Sequence, residues 1–163
     1  MPALDVMTPA DVAAVAEIEA RQHLTPWHAS SFEDALRSGW KARVLRETDQ
    51  LTAPVLGYFV AMNAGDDEEL LTITVAPEAE GRGYGRLLLT SLLTEATARG
   101  AERLFLEVRQ SNARAIRLYE SVGFTITGMR KNYYAIPADP VLARPAGREH
   151  AVLMVRHLQG QAA

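Results

Sequence analysis

Two hydrophobic rhythms alternate along this chain, and their order predicts its architecture. Val12, Val15 and Ile18 recur three residues apart, the spacing of one helix face. Ahead of them, Thr8-Pro9-Ala10-Asp11 supplies a capping hydroxyl, a first-turn proline and an acidic third residue, which predicts a helix to about Gln22. Leu4 to Met7 reads as a short strand before it. Ser30-Ser31-Phe32-Glu33 is a second capping-box pattern and predicts a short helix ending near Gly39. Ala42 to Glu47 and Val55 to Met62 are apolar runs separated by the polar Asp49-Gln50 region and Pro54, as in two antiparallel strands. The acidic stretch from Asp66 to Glu69, after Gly65, reads as a solvated turn that a basic target would also meet favourably.

The second half changes rhythm. Leu70 to Val75 predicts a buried strand, Gly81-Arg82-Gly83-Tyr84-Gly85-Arg86 a glycine loop, and Leu87-Leu88-Leu89 the start of a helix that runs to Arg99 and stops at Gly100. Arg103 to Arg109 follows as a strand, so strand, crossover helix and parallel strand form a βαβ unit. Asn112 or Ser111 caps a further helix to Val122, Gly123 ends it, and Phe124 to Met129 and His150 to Val155 are the last strands. The fold class is α/β: a mixed sheet, antiparallel in its N-terminal half and parallel at its central strands, with helices on both faces. With no repeat or linker in view, residues 1–163 read as one domain.

Composition narrows the function. At 163 residues and 48% hydrophobic, the chain can fill one core. A net charge of −3 argues against direct nucleic-acid binding, which depends on a Lys/Arg surface. The lack of cysteine excludes disulfides, thiolate metal sites and a cysteine acyl-enzyme. His23, His28, His150 and His157 lack metal-ligand spacing, so no metal is expected. No basic segment leads into an apolar one at the N-terminus and no apolar run reaches membrane-spanning length, so a cytoplasmic protein without membrane contact is expected.

The glycine loop carries the strongest chemical signal. Glycines admit positive φ, so consecutive N–H groups can converge on one concavity, to which a helix N-terminus adds partial positive charge. Such a loop seats a phosphate. No Gly-Lys-Ser/Thr closes it, which excludes a Walker A, and Gly81, Gly83 and Gly85 space as GxGxG instead of GxGxxG, with some seventy residues ahead of them.

Several stretches together resemble the GNAT acetyltransferase superfamily over nearly the whole chain, most of all its RimI type, the ribosomal-protein-alanine N-acetyltransferases. They are Pro26-Trp27, the Gly81 to Arg86 loop, Leu106-Glu107-Val108-Arg109 with Ser111-Asn112-Ala113, Leu118-Tyr119-Glu120-Ser121 with Gly123-Phe124, Asn132-Tyr133-Tyr134, and Gly147-Arg148-Glu149. The resemblance implies acetyl-CoA as co-substrate, its pantetheine arm along Ile73, Thr74 and Val75, its pyrophosphate on Gly81, Arg82, Gly83, Tyr84, Gly85 and Arg86, and a contact from Asn112. It implies Glu107 as base and Tyr119 as acid, with a protein N-terminus, an alanine of a small-subunit ribosomal protein, as acceptor. Departures are Glu80, where the family usually has Gln or Arg, His150, where many relatives have Asp, and a longer connection from Ala135 to Ala146.

Physical chemistry asks for similar groups. An α-amino group, with a pKa of roughly 7.7 to 8.0, is mostly protonated at neutral pH and must lose a proton before it attacks a thioester. Glu107, among Leu104, Phe105, Leu106 and Val108, serves either as that base or as an ion-pair partner of Arg109 or another basic residue. Tyr119 falls on the apolar stripe with Ile116 and Val122, so it fits the core as well as the acid. Asn112 fits a helix cap and a cofactor contact equally. Trp27, Tyr133 and Tyr134 either pack inside or border an acceptor groove. A GNAT enzyme for small amines or internal lysines, and a non-catalytic acyl-CoA-binding module, stay open as alternatives.

Overall fold

The computed structural model describes residues 2–158. Its elements are β1 (Ala3–Val6), a 3-10 turn at Pro9–Asp11, α1 (Val12–Gln22), α2 (Ala29–Arg37), β2 (Lys41–Arg46), β3 (Val55–Ala64), β4 (Asp67–Val75), α3 (Tyr84–Ala98), β5 (Arg103–Arg109), α4 (Ala113–Ser121), β6 (Thr125–Ile136) and β7 (Gly147–His157). They form one seven-stranded sheet in the order β1-β2-β3-β4-β5-β7-β6, in which β4 and β5 are the parallel pair and all other neighbours are antiparallel. The last strand therefore inserts between β5 and β6.

Helices cover both faces. On β3, Tyr58 points to one side, where its hydroxyl donates to Glu19 of α1. Gly57 points to the other, where a Cβ would lie 3.0 Å from Leu88 of α3 and 2.8 Å from the Thr74 carbonyl oxygen. That close approach, not a turn, is why glycine occupies position 57. Leu88, Leu89 and Leu92 of α3 are fully buried, each stabilising the fold by about 1.5–3 kcal/mol of apolar burial.

Several local expectations change on contact with the tertiary structure. The Ser30 to Glu33 capping box does not open α2: the helix starts at Ala29 behind His28, and Ser30 and Ser31 lie inside it. Asp67, Glu68 and Glu69 are strand, not turn, because β3 and β4 stay paired down to Ala64 and Asp67, leaving Gly65 and Asp66 as a two-residue hairpin turn. Glu68 is 2% exposed and receives Arg99 through Nε at 2.9 Å and Nη2 at 2.7 Å, while Asp67 pairs with Arg103. The charges of Asp67 and Glu68 are answered inside the fold, which leaves Asp66 as the exposed carboxylate of the turn. β6 and β7 each extend well past the predicted ends, so the expected long connection is partly strand and closes through the Asp139–Arg144 bridge.

Candidate active site

One irregularity in β4 opens the site. Thr72 pairs with Val60 but Leu70 pairs with Ala61, so Leu71 is an extra residue on β4. Pairing of β4 with β5 ends at Leu70 and Leu106, and beyond it the two strands part. The bulge also sets which side chains share a face. Thr72 and Thr74 turn toward α1, where Thr72 Oγ1 donates to Glu19 at 3.0 Å and Thr74 Oγ1 lies 2.7 Å from His23 Nε2.

Two cavities fill the gap. The first, about 420 Å³, is lined by the glycine loop, the end of β4 and the start of α4. The second, about 200 Å³, is lined by Glu107 and Arg109 of β5, Tyr134 of β6, and Glu19 and Trp27 from the α1 side. His23, Ile73, Asn112, Ala115 and Tyr119 line both, so the cavities meet there.

The glycine loop has the conformation expected of a phosphate seat. Gly81 and Gly83 have φ of +77° and +81°, and Gly83 caps α3, whose first-turn N–H groups lack helical partners by geometry. Gly85 differs: its φ is ordinary, and it is small because Leu118 of α4 would sit 3.2 Å from its Cβ. Arg86 reaches across to Ser121, tying α3 to α4, whereas Arg82 stands outside the cavity lining and 4.0 Å from Glu47. Glu80 accepts from Gln22 at 2.6 Å and from Arg114 at 3.1 Å, and these two hydrogen bonds hold its carboxyl below the usual range. Gln22 also donates to the Val75 carbonyl at 2.7 Å. The cavity thus suits an elongated phosphate-bearing molecule, with a carboxylate at its rim tied to its own neighbours.

Around the second cavity the charged groups are paired. Glu107 Oε1 accepts from Arg130 Nη1 at 2.9 Å, so its partner is a residue of β6 and not Arg109. Arg109 pairs with Glu149 at 3.1 Å, donates to Thr25 at 2.8 Å and stacks 4.7 Å from the Tyr134 ring. Burial works against charge on Glu149, but the Ser111 N–H and the Arg109 guanidinium outweigh it and hold the carboxyl below its ordinary range. Burial, and then the neighbouring Glu107, raise the Glu69 carboxyl. The Tyr134 phenol is pushed up to about 12, by burial first and Glu107 second. Tyr119 is 7% exposed, packs edge-on to Phe124, and burial raises its phenol well above the ordinary value. It is a neutral O–H donor at any physiological pH.

Of the residues singled out from sequence, Ile73, Thr74, Val75 and the loop from Gly81 to Arg86 except Arg82 line the first cavity, Trp27, Glu107 and Tyr134 the second, and Asn112 and Tyr119 with Ile73 both. Asn112 is also a helix cap, accepting from the Ala115 N–H at 3.2 Å. Trp27 is both wall and core, with its ring 5.2 Å from Phe32. Tyr133 is 41% exposed and stands outside the lining, under Arg130 at 3.9 Å and against Tyr134 at 5.0 Å. Sequence reasoning missed Glu19, which is 3% exposed and accepts from Tyr58, Thr72 and the Trp27 N–H. A signal was present, since a carboxylate four residues after Val15 sits on the buried helix stripe.

Residues 12–124 match the Acetyltransferase (GNAT) family. The chain belongs to that family and is an acetyl-CoA-dependent N-acetyltransferase. Among its relatives, the [Ribosomal protein bS18]-alanine N-acetyltransferase of Haemophilus ducreyi is 37% identical over 142 residues, 87% of this chain and 90% of the relative. The crystal structure of the ribosomal-protein-S18-alanine N-acetyltransferase from Escherichia coli superposes with a TM-score of 0.83 at 32% identity, covering 100% of this chain and 99% of that one. A Salmonella typhimurium structure solved with its cofactor acetyl-CoA shares the fold, with a TM-score of 0.75 at 23% identity over 99% of this chain and 96% of that one. Among the described residues no helix is long and apolar enough to cross a membrane.

Proposed function

We propose that this chain transfers the acetyl group of acetyl-CoA to the α-amine of the N-terminal alanine of ribosomal protein bS18, by direct attack in a ternary complex. What carries the reading is the meeting of two cavities at Tyr119, one floored by a phosphate-type loop and one holding Glu107, in a chain whose relatives are named for this reaction. Gly81, Gly83 and the first turn of α3 would hold the pyrophosphate through backbone N–H groups. Ile73, Thr74 and Val75 would align the pantetheine arm along the β4 edge that β5 has left. When bound, acetyl-CoA supplies a thioester, an acyl group joined to a thiolate leaving group.

The protein's residues then manage two protons. Glu107, in the second cavity, takes a proton from the acceptor ammonium, directly or through a water, as the nitrogen closes on the acyl carbon. Tyr119, held neutral by burial at the junction, delivers its proton to the departing sulfur and takes back the remaining extra proton from the acylated nitrogen, which leaves a neutral amide, a free thiol and the phenol restored. Arg130 keeps the Glu107 carboxylate in place. Trp27 and Tyr134 border the path by which a peptide end would enter.

Tyr119→Phe tests the acid. Turnover is expected to fall by about 10²-fold with acetyl-CoA affinity retained, because only the transition state uses the hydroxyl. Steady-state kinetics beside calorimetry checks this, and normal turnover would return Tyr119 to the core. The acceptor is tested by mass spectrometry of the product from a bS18 N-terminal peptide. The α-amine of alanine is expected to be acetylated, and blocking it to abolish activity even beside a free lysine. A higher kcat/KM for a polyamine, an aminoglycoside or free amino acids, or modification at lysine alone, would overturn the acceptor assignment.

A further inference from the structure

Between Arg130 and Tyr134, β6 advances four residues while β7 moves two, from Ala151 to Glu149. Lys131, Asn132 and Tyr133 therefore face a single β7 residue, His150. At the centre of this bulge Asn132 has a φ of +51°, the left-handed region that L side chains avoid and asparagine tolerates. β7 side chains hold both of its peptide groups. Its N–H donates to His150 Nδ1 at 3.0 Å, and Arg148 Nη1 donates to the carbonyls of Asn132 and Tyr133, each at 3.4 Å. An imidazole accepts at Nδ1 only when that nitrogen carries no proton, so the ring here bears its hydrogen on Nε2.

The bulge matters because of what flanks it. Two extra residues preserve the alternation of the strand, so Arg130 and Tyr134 both emerge on the face of β7 that carries Ala151 and Glu149. Arg109 and Glu107 share that face through the Ala151 and Leu153 pairings. From there Arg130 reaches Glu107, and Tyr134 lies under Arg109. Arg130 keeps its register through the continuous pairing of Gly128, Met129 and Arg130 with β7, whereas a bulge that slipped would turn Tyr134 away from the second cavity, and nothing in regular strand pairing restrains the Asn132 amide.

We infer that His150 is a positioning residue for the acceptor: by pinning the Asn132 amide it holds the bulge that aims Tyr134 at the second cavity. The inference rests on the proposed reading of that cavity as the acceptor site. His150 acts through Asn132, and its loss is felt in peptide binding before chemistry or cofactor affinity.

The test compares the wild-type protein with His150→Ala and His150→Asn, the latter returning an acceptor oxygen. In the alanine variant the KM for the bS18 peptide is expected to rise about tenfold, the loss of one hydrogen bond, with kcat changed far less. Acetyl-CoA affinity by calorimetry is expected to stay the same, and the Asn132 amide to lose its hydrogen-exchange protection in NMR. The asparagine variant is expected to recover both the KM and the protection. Unchanged exchange at Asn132 in the alanine variant would show that His150 does not pin it. Faster exchange with an unchanged peptide KM, or a loss confined to kcat or shared with acetyl-CoA binding, would also overturn the proposal. If the wild-type protein acetylates no peptide α-amine, it is the acceptor reading that fails, and the exchange measurement still decides whether the bulge is pinned.

Discussion

Glu107→Gln is expected to lower kcat by roughly 10² to 10⁴ at neutral pH, with acetyl-CoA affinity little changed. The substitution keeps the shape of the side chain and an amide oxygen that can still accept from Arg130, so the β5–β6 contact survives. What disappears is the capacity to take a proton. The sign of the pH dependence follows. An acceptor amine with a pKa of about 7.7–8.0 is mostly cationic at pH 7 and mostly free base at pH 9, so it needs the carboxylate less as pH rises. The ratio of wild-type to variant rate should therefore shrink toward high pH. Rates measured from pH 6.5 to 9.5 check this, and a variant of near-normal rate at pH 7 would reduce Glu107 to the ion pair it makes with Arg130.

Gly83→Val is expected to abolish acetyl-CoA binding. At a φ of +81° a β-branched residue is strained by about 1–3 kcal/mol, and relief of that strain rotates the peptide groups that cap α3 away from the seat. Wild-type protein at a hundredfold excess of acetyl-CoA over Kd should gain about 2.7 kcal/mol of stability by linkage, and the variant should gain none. Thermal melts with and without the cofactor, beside calorimetry, read this directly. Gly39→Val is the control, since Gly39 has a φ of +73° in the turn after α2, outside the cofactor cavity. It should lose intrinsic stability but keep the acetyl-CoA shift. Gly85→Ala should do less than Gly83→Val, because its φ is ordinary and its new methyl meets only side-chain ends, Leu118 at 3.2 Å and Val75 at 3.9 Å. If Gly83→Val still gains the full shift in Tm, the loop does not seat the pyrophosphate.

The expectations that held and those that did not divide by the range of the forces involved. β5 is bounded at Arg103 and Arg109 as its alternation predicts, and α3 stops where Gly100 takes a φ of +86°. These depend on a residue and its immediate neighbours. The Ser30 capping box had plausible local chemistry and still lost: the helix starts at Ala29 behind His28, with Phe32 packed against Trp27 and Tyr58. Asp67 and Glu68 looked solvated until Arg103 and Arg99, distant in sequence, arrived beside them.

By itself, then, the sequence determined most of the elements and the glycine loop, because turn chemistry and hydrophobic period act over a few residues, while Glu107, Asn112 and Tyr119 were singled out through the family resemblance. Only the tertiary structure decided the insertion of β7 between β5 and β6, the extra residue Leu71 that parts β4 from β5, and the partners Arg130 for Glu107 and Tyr58 for Glu19. Strand order and register are set by pairings between residues far apart in the chain, and a shift of one residue in register sends every side chain to the opposite face. No local pattern encodes that choice; the packing of the whole sheet makes it.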